Sequence, residues 1–207
     1  MAFLIGDSHA ASIKNGIERA VQEHMIVSWV GITGNACGLL YSTTSGICHE
    51  ANTLIMERLN ANLRSGDVVF LSTVGYKYWD ATAQAQQRAY LRNLYTTVLQ
   101  PRNARLVIMG DPPRLPVWAI YCLQAPSNCY AGTANNDQNR MLAPVADEFA
   151  GVLYVEIHDL FCDSNNCMAQ VPGTTTYAFF DDSHLTEAGG LYLWPYICSA
   201  LESAGFI

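Results

Sequence analysis

Short apolar segments alternate with helical patterns along the chain, and this regular order constrains the fold more than any other feature. Five apolar segments predict β-strands, at residues 3–5, 25–30, 67–72, 105–109 and 152–157. Helices are predicted between and after them, at residues 8–23, 50–64, 82–99, 135–149 and 186–203. Because helices separate consecutive strands, we expect right-handed crossovers and a parallel sheet. The sequence therefore predicts an α/β fold, a flavodoxin-like three-layer sandwich with a five-stranded parallel sheet.

The composition agrees with a single domain over residues 1–207 and argues against several classes of protein. Half of the residues are hydrophobic and 14% are charged, which excludes a disordered chain. The formal net charge of −7 gives no electrostatic reason to expect a nucleic-acid partner. The apolar run before Gly6 is too short for a signal-peptide core, and the chain begins directly on the first predicted strand. The lack of such a core is typical of a cytosolic protein, but a start on the first strand also suggests a domain excised from a longer chain.

Six of the seven cysteines fall into three local couples within segments rich in Gly, Ser, Asn or Pro. The couples are Cys37 with Cys48, Cys122 with Cys129, and Cys162 with Cys167, and Cys198 is left over. Short disulfides that close loops are the favoured interpretation. A zinc site is the alternative, although neither CxxC nor the spacing of a zinc finger occurs. Disulfides indicate an oxidising, extracytoplasmic location: periplasm, cell surface or secretory lumen.

A serine lies where the first predicted strand meets the first helix, in the segment IGDSH at residues 5–9. The carboxyl ends of parallel strands form the ligand crevice of such sheets, so the Ser8 hydroxyl would be presented there. The helix N-terminus would favour negative charge that develops beside it. A serine hydroxyl needs a base, and a group that orients the base, before it becomes a good nucleophile. The alternative is that Asp7 or Ser8 only caps the helix.

The segment FFDDSHLTEAGG, residues 179–190, supplies a candidate base and a candidate acid. His184 would accept the proton of Ser8, and Asp181, three residues earlier, would orient and stabilise the imidazole ring. Asp182 is a rival for the acid, but its neighbouring position would point its side chain elsewhere. The sequence thus predicts a Ser-His-Asp triad split between the two ends of the chain.

GDSH, VGITGNACG and DxxHLT together resemble the SGNH (GDSL-like) hydrolase family over essentially the whole chain. The resemblance implies Ser8, His184 and Asp181 as catalytic residues. The reaction that it implies requires neither a cofactor nor a metal. It also implies an oxyanion hole built from the backbone N–H groups of Ser8 and Gly34. More narrowly, GDSHA, HDLFCDSNNCM and FFDDSHLTEAGG resemble the SGNH domains fused to membrane acyltransferase-3 domains. Those take part in O-acetylation of bacterial surface polysaccharides outside the cytoplasmic membrane.

One block departs from the wider family. Its usual GxND, which supplies an asparagine to the oxyanion hole, is replaced by FLSTVGYKYWD at residues 70–80, which contains no asparagine. Loss of such a donor costs on the order of 10² to 10³ in rate unless Ser72, Thr73 or a backbone N–H substitutes. The acyltransferase-linked domains also tend to lack this block. The departure therefore supports the narrower resemblance while it leaves the catalytic power open.

The sequence and the resemblance together predict a serine-dependent O-acetyl esterase or O-acetyltransferase. Its partner would be an acetylated carbohydrate or another small acyl ester, with an acyltransferase-3 domain in the same chain and no nucleic acid. The alternative is a non-catalytic carbohydrate-binding or accessory domain that supports a membrane acyltransferase. Aromatic residues in the loops, Tyr76, Tyr78, Trp79, Trp118, Tyr121 and Tyr130, would suit sugar rings or pack in the core.

The other histidines carry no partner pattern. GDSH also resembles the opening motif of metallophosphoesterases, but the further motifs of that class are absent. His9 is therefore interpreted as a residue at the helix start rather than a metal ligand. His24, His49 and His158 are expected at the surface or in caps.

Overall fold

A computed structural model describes residues 1–23, 28–33, 47–73, 81–124, 140–163 and 166–207. The five strands of the main sheet are β1 (Ala2–Gly6), β2 (Trp29–Thr33), β3 (Val68–Ser72), β4 (Arg105–Met109) and β5 (Val152–Val155). They lie in the order β2-β1-β3-β4-β5, and every adjacent pair is parallel. The predicted five-stranded parallel sheet is confirmed.

The described helices and a short strand pair complete the fold. The helices are α1 (Ser8–Gln22), α2 (Ile47–Asn62), α3 (Ala81–Leu94), α4 (Ala119–Gln124), α5 (Ala143–Ala146), α6 (His158–Phe161) and α7 (Glu187–Ser203). The antiparallel pair is β6 (Cys162–Asp163) with β7 (Asn166–Cys167). Among the described residues, no helix combines the length and the apolar character that a membrane span needs.

The central strands are buried on both faces, which explains their unbroken apolar sequences. Leu4 of β1 packs in the core that contains α1 and α7. Phe3 and Ile5 point to the opposite face and pack in the core that contains α2 and α3. Each of these side chains is at most 1% exposed, and burying one such residue stabilises the fold by about 1.5–3 kcal/mol. Alternating side chains of β1 thus pack against both layers of helices.

Several predicted elements end in different places from those expected. The helix predicted at 135–149 is confined, among its described residues, to α5. Pro144, in the first turn of α5, has no N–H to donate and obstructs a helical turn before it, which accounts for the late start. The helix predicted at 82–99 is α-helical only to Leu94 and ends as a π-turn over Tyr95–Leu99. Strand β2 runs to Thr33, later than predicted.

The two ends of the chain meet through a close contact between α1 and α7. A methyl group added at Gly190 would lie 2.7 Å from the carbonyl oxygen of Ser12, and one added at Gly16 would lie 2.9 Å from the carbonyl oxygen of Gly190. Real Cβ atoms do not approach backbone oxygen this closely, so glycine permits the separation of these helices. This contact brings the start of α1 beside the segment that leads into α7.

The cysteine couples are partly tested. A disulfide joins Cys162 to Cys167, as predicted. Cys48 is also disulfide-bonded, while its predicted partner Cys37 lies outside the described residues. Cys129 lies outside them too, so the predicted couple of Cys122 with Cys129 stays a prediction. Burial, and next the charge of Glu202, raise the pKa of the left-over Cys198 thiol to about 12.

Candidate active site

Ser8, His184 and Asp181 form one hydrogen-bonded chain, although Ser8 and His184 are 176 residues apart in sequence. The distance from Ser8 Oγ to His184 Nε2 is 2.7 Å, and that from His184 Nδ1 to Asp181 Oδ2 is also 2.7 Å. Both imidazole nitrogens are therefore engaged, one by the hydroxyl and one by the carboxylate. In this arrangement the imidazole can accept the serine proton while the carboxylate holds the tautomer.

The position of Ser8 follows from the order of the strands. The chain leaves β1 towards β2 on one side, and β3 lies on the other, so the end of β1 is the switch point of the sheet. Gly6 has a φ of 139°, and an added Cβ would collide with the carbonyl group of Ser72 on β3. Glycine therefore allows the turn that delivers Ser8 to the crevice edge.

Asp181, the predicted acid, is held in place by hydrogen bonds from its own loop. Its Oδ1 accepts hydrogen bonds from the backbone N–H groups of Ser183 and His184, each at 2.8 Å. Partial burial acts to raise the pKa of Asp181, but these two N–H groups and the His184 ring outweigh it and hold the pKa below its ordinary value. The carboxylate is thus stabilised in the ionised form that orients a histidine.

Asp182, the rival acid, points to a different partner. Its Oδ2 accepts hydrogen bonds from Arg114 Nε at 2.9 Å and Nη2 at 2.8 Å. The loop that carries Arg114 also binds the backbone here, because Leu115 N–H donates to the carbonyl of Asp182 at 2.7 Å. A second backbone bond, from Ala119 N–H to the carbonyl of Asp181 at 3.2 Å, ties the start of α4 to the same loop.

The motif HLT fixes where α7 begins. The hydroxyl of Thr186 accepts a hydrogen bond from the N–H of Gly189 and caps the helix. The same hydroxyl donates to the carbonyl of Tyr177 at 2.7 Å. Thr186 therefore anchors the segment just after His184 to the preceding loop. These hydrogen bonds fix the backbone that positions the His184 ring.

A buried group of polar residues lies behind Ser8, and sequence reasoning missed its role. His9 is 4% exposed, and its ring lies 3.5 Å from Asp7 Oδ1 and 3.9 Å from Asp111 Oδ1. Thr73 Oγ1 donates to Asp7 Oδ2 at 2.9 Å. The centroids of the His9 and His184 rings are 4.6 Å apart. The adjacency of His9 to Ser8 was the one available signal, because Asp111 follows a different strand.

The predicted oxyanion hole is only partly described. Ser8 begins α1, where the first N–H groups of a helix have no partner within the helix. Gly34 lies outside the described residues; Thr33, immediately before it, is in register with Gly6. Of the candidates to replace the missing asparagine, Thr73 directs its hydroxyl proton to Asp7. The role of Gly34 stays a prediction.

One cluster within the described chain has metal-binding residue types outside this site. The ligand atoms of His158, Cys162 and Cys167 lie within 4.8 Å of one another. The two sulfurs are joined to each other in a disulfide and so are not the thiolates that zinc binds. His158 is 2% exposed and is the first residue of α6, so of the two expected positions, at the surface or at a helix cap, the surface is wrong. Its ring packs between the disulfide sulfur of Cys162, at 3.6 Å, and Asp159, at 3.1 Å.

A family model described as "SGNH domain (fused to AT3 domains)" matches residues 1–197. The chain belongs to this SGNH family. The match covers nearly the whole chain and confirms the resemblance inferred from GDSH and DxxHLT. Membership of the family supports an esterase or acyltransferase enzyme, as the sequence predicts.

Solved structures share the SGNH fold at low sequence identity. The periplasmic domain of a lipopolysaccharide acetyltransferase from Salmonella ser. Paratyphi A is 16% identical, with a TM-score of 0.78 over 97% of this chain and 83% of that chain. A putative platelet activating factor from Streptococcus pneumonia is 19% identical, with a TM-score of 0.52 over the same shares. A possible lipase from Chitinophaga pinensis DSM 2588 is 11% identical, with a TM-score of 0.50 over 100% of this chain and 99% of that chain.

At these identities the likeness establishes the fold alone. The comparison with curated proteins gives no sequence match. The substrate of this SGNH domain must therefore be argued from its own residues.

Proposed function

We propose that this SGNH domain is a serine-dependent O-acetyl esterase or O-acetyltransferase that acts on carbohydrate. The observation that carries the proposal is the hydrogen-bonded chain from Ser8 through His184 to Asp181. A binding module has no chemical need for a nucleophile, a base and an orienting acid in one line. This chain of contacts favours a catalytic domain over the non-catalytic accessory alternative.

The reaction follows from the roles of the three residues. Ser8 Oγ attacks the acetyl carbonyl carbon while His184 Nε2 takes the hydroxyl proton. The N–H of Ser8, and by family resemblance that of Gly34, would bind the oxyanion. His184 then returns the proton to the departing sugar oxygen as the C–O bond breaks, which leaves an acetyl group on Ser8. Water or a second sugar hydroxyl, deprotonated by His184, attacks this ester and restores Ser8.

Exposed aromatic side chains beside the site support carbohydrate as the substrate class. Trp118 is 58% exposed and Phe180 is 77% exposed. The backbone ties both to the loop of the proposed site. Ala119 N–H, next to Trp118, donates to the carbonyl of Asp181, and the N–H of Phe180 itself donates to the carbonyl of His184 at 2.8 Å. Aromatic faces complement the C–H faces of sugar rings. We propose that these two residues form the rim on which the sugar lies.

The partner and the location are proposed on related grounds. The matching family is one whose domains are fused to AT3 domains, so we propose an AT3 domain as the partner that supplies or receives the acetyl group. The disulfide between Cys162 and Cys167 favours an extracytoplasmic location, since such bonds persist in oxidising compartments. We further propose that residues 1–207 act as one domain of that larger assembly.

Hydrolysis of p-nitrophenyl acetate tests the central proposal. We expect Ser8→Ala and His184→Ala to lower kcat/KM by on the order of 10³-fold or more, and a trapped acetyl group to be found on Ser8 by mass spectrometry. Ser12→Ala is the matched control for the serine, because Ser12 lies on the same helix one turn away and its hydroxyl donates to the backbone carbonyl of Ser8. Equal rates in the parent and Ser8→Ala proteins would exclude the catalytic function and leave the accessory role.

A further inference from the structure

The GDSH segment contains a second histidine that the proposed reaction does not use. His9 is 4% exposed, although it directly follows a partly exposed serine at the start of α1. Burial by itself disfavours the protonated form of a histidine, and negatively charged neighbours can offset that effect. The groups around the ring therefore decide its charge.

Acidic groups from three separate parts of the chain face His9. Asp7, from the turn after β1, is 1% exposed and lies 3.5 Å from His9 Nδ1. Asp111, from the loop after β4, is 3% exposed and lies 3.9 Å from His9 Nε2. Asp181 adds a more distant negative charge from the loop before α7. Burial lowers the pKa of His9, but Asp111, Asp7 and Asp181 together outweigh it, and the pKa is raised above 6.5.

The ring of His9 also lies against the base of the site. Its centroid is 4.6 Å from that of His184, and the two ring planes are inclined by 34°. The opposite edges of the His184 ring bind Ser8 and Asp181, so His9 covers one of its faces. A positive charge at this distance disfavours a second positive charge on His184, since like charges repel strongly in a poorly hydrated site.

We propose that His9 is a positioning residue for His184, held as a cation between Asp7 and Asp111. It packs on the His184 ring and favours the neutral form of that ring, which is the form that can accept a proton from Ser8. His9 does not touch the acyl group and transfers no proton in the reaction. This inference rests on the proposed function. It adds to that function a residue outside the Ser-His-Asp chain that favours one protonation state of His184.

The pH dependence of kcat/KM distinguishes this role from simple packing. In His9→Gln the cation is lost while the acidic groups stay, so protonated His184 becomes more favourable. The fall in kcat/KM on the acid side should therefore move to higher pH by about one unit. His9→Phe keeps a ring against His184 without the charge, and it should move the acid side in the same direction. His49→Gln, an exposed histidine on α2, is the control and should leave the profile unchanged.

Histidine proton NMR supplies a readout that needs no turnover. One signal, absent from His9→Gln, should lose its proton above pH 6.5 in the parent protein, and the signal of His184 should gain its proton at higher pH in His9→Gln than in the parent. The parent measurement stands even where a variant does not fold, which circular dichroism would reveal. A His9 signal that loses its proton below pH 6.5, or superimposable acid limbs in parent and folded variants, would overturn the proposal. An inactive parent with these NMR shifts would instead remove the proposed function and keep the electrostatic coupling of the two rings.

Discussion

Neighbouring aspartates in the sequence DDSH have different environments and therefore different roles at the residue scale. Asp181 binds the His184 ring and two backbone N–H groups, whereas Asp182 binds Arg114 near the surface. The two side chains differ in what they touch, not in chemical type. A conservative change at Asp181 therefore tests the orientation of the His184 ring, whereas one at Asp182 tests the contact of the same loop with Arg114.

We expect Asp181→Asn to lower kcat for p-nitrophenyl acetate by on the order of 10³-fold, because an amide cannot hold the same His184 tautomer or stabilise the imidazolium. Asp182→Asn should lower it by less than about tenfold, since the pair with Arg114 is partly exposed and such pairs contribute about 0–1 kcal/mol. Steady-state kinetics on the two variants give the comparison. A larger loss in Asp182→Asn would identify Asp182 as the more important acid.

At the scale of elements, the site depends on how closely α1 approaches α7. Ser8 is the first residue of α1, and His184 lies just before the N-cap of α7. The helices are in contact at Gly16 and Gly190, where no side chain separates them. The 2.7 Å bond between Ser8 and His184 is therefore set by a helix spacing that glycine permits.

Gly190→Ala tests this dependence. Alanine normally favours a helix over glycine by about 1 kcal/mol, but here its methyl group would meet the carbonyl of Ser12 at 2.7 Å. We expect the free energy of unfolding in urea to fall by about 1–3 kcal/mol and the esterase rate to fall with it, because α7 must move away from α1. Ser199→Ala, an exposed position on the same helix, is the control. A more stable and fully active Gly190→Ala protein would show that a methyl group fits between α1 and α7, and it would contradict this dependence.

At the scale of the whole molecule, loops from distant parts of the chain meet at the carboxyl edge of the sheet. The loop after β4 is bonded to the loop before α7 through Leu115 with Asp182 and through Ala119 with Asp181. Backbone bonds thus connect the segments that carry two exposed aromatic residues, Trp118 and Phe180, to the loop of the proposed base. A large exposed apolar side chain is most informative where it adjoins a reactive group.

Trp118→Ala and Phe180→Ala should raise KM for a water-soluble acetylated oligosaccharide by on the order of fivefold, because each removes a stacking surface worth about 1 kcal/mol. Neither should change kcat/KM for p-nitrophenyl acetate by more than about twofold, since that ester has no sugar ring. Tyr196→Ala is a matched control, because Tyr196 is an exposed aromatic residue on α7 away from this rim. Unchanged KM values for the oligosaccharide in both rim variants would contradict the carbohydrate rim.

The sequence by itself determined the layers of the fold and predicted the reacting groups. Alternating strands and helices predicted the parallel sheet, and GDSH with DxxHLT predicted the three residues that the structure brings into one line. These features are local, because periodicity, glycine turns and short motifs are written in consecutive residues. Helix propensity alone extends the helix predicted at 135–149 beyond α5, whereas Pro144 disfavours helix on its N-terminal side among the described residues.

Only the tertiary structure decided which groups surround the reacting residues. It separated Asp181 from Asp182, placed His158 inside the protein and set His9 between Asp7 and Asp111 against the ring of His184. The charge on a buried histidine depends on groups within a few ångströms, and these groups are supplied by the ends of different strands. Their separation in sequence carries no local signal. The sequence therefore predicted the nucleophile, the base and the acid, while folding determined the electrostatic environment in which these residues lie.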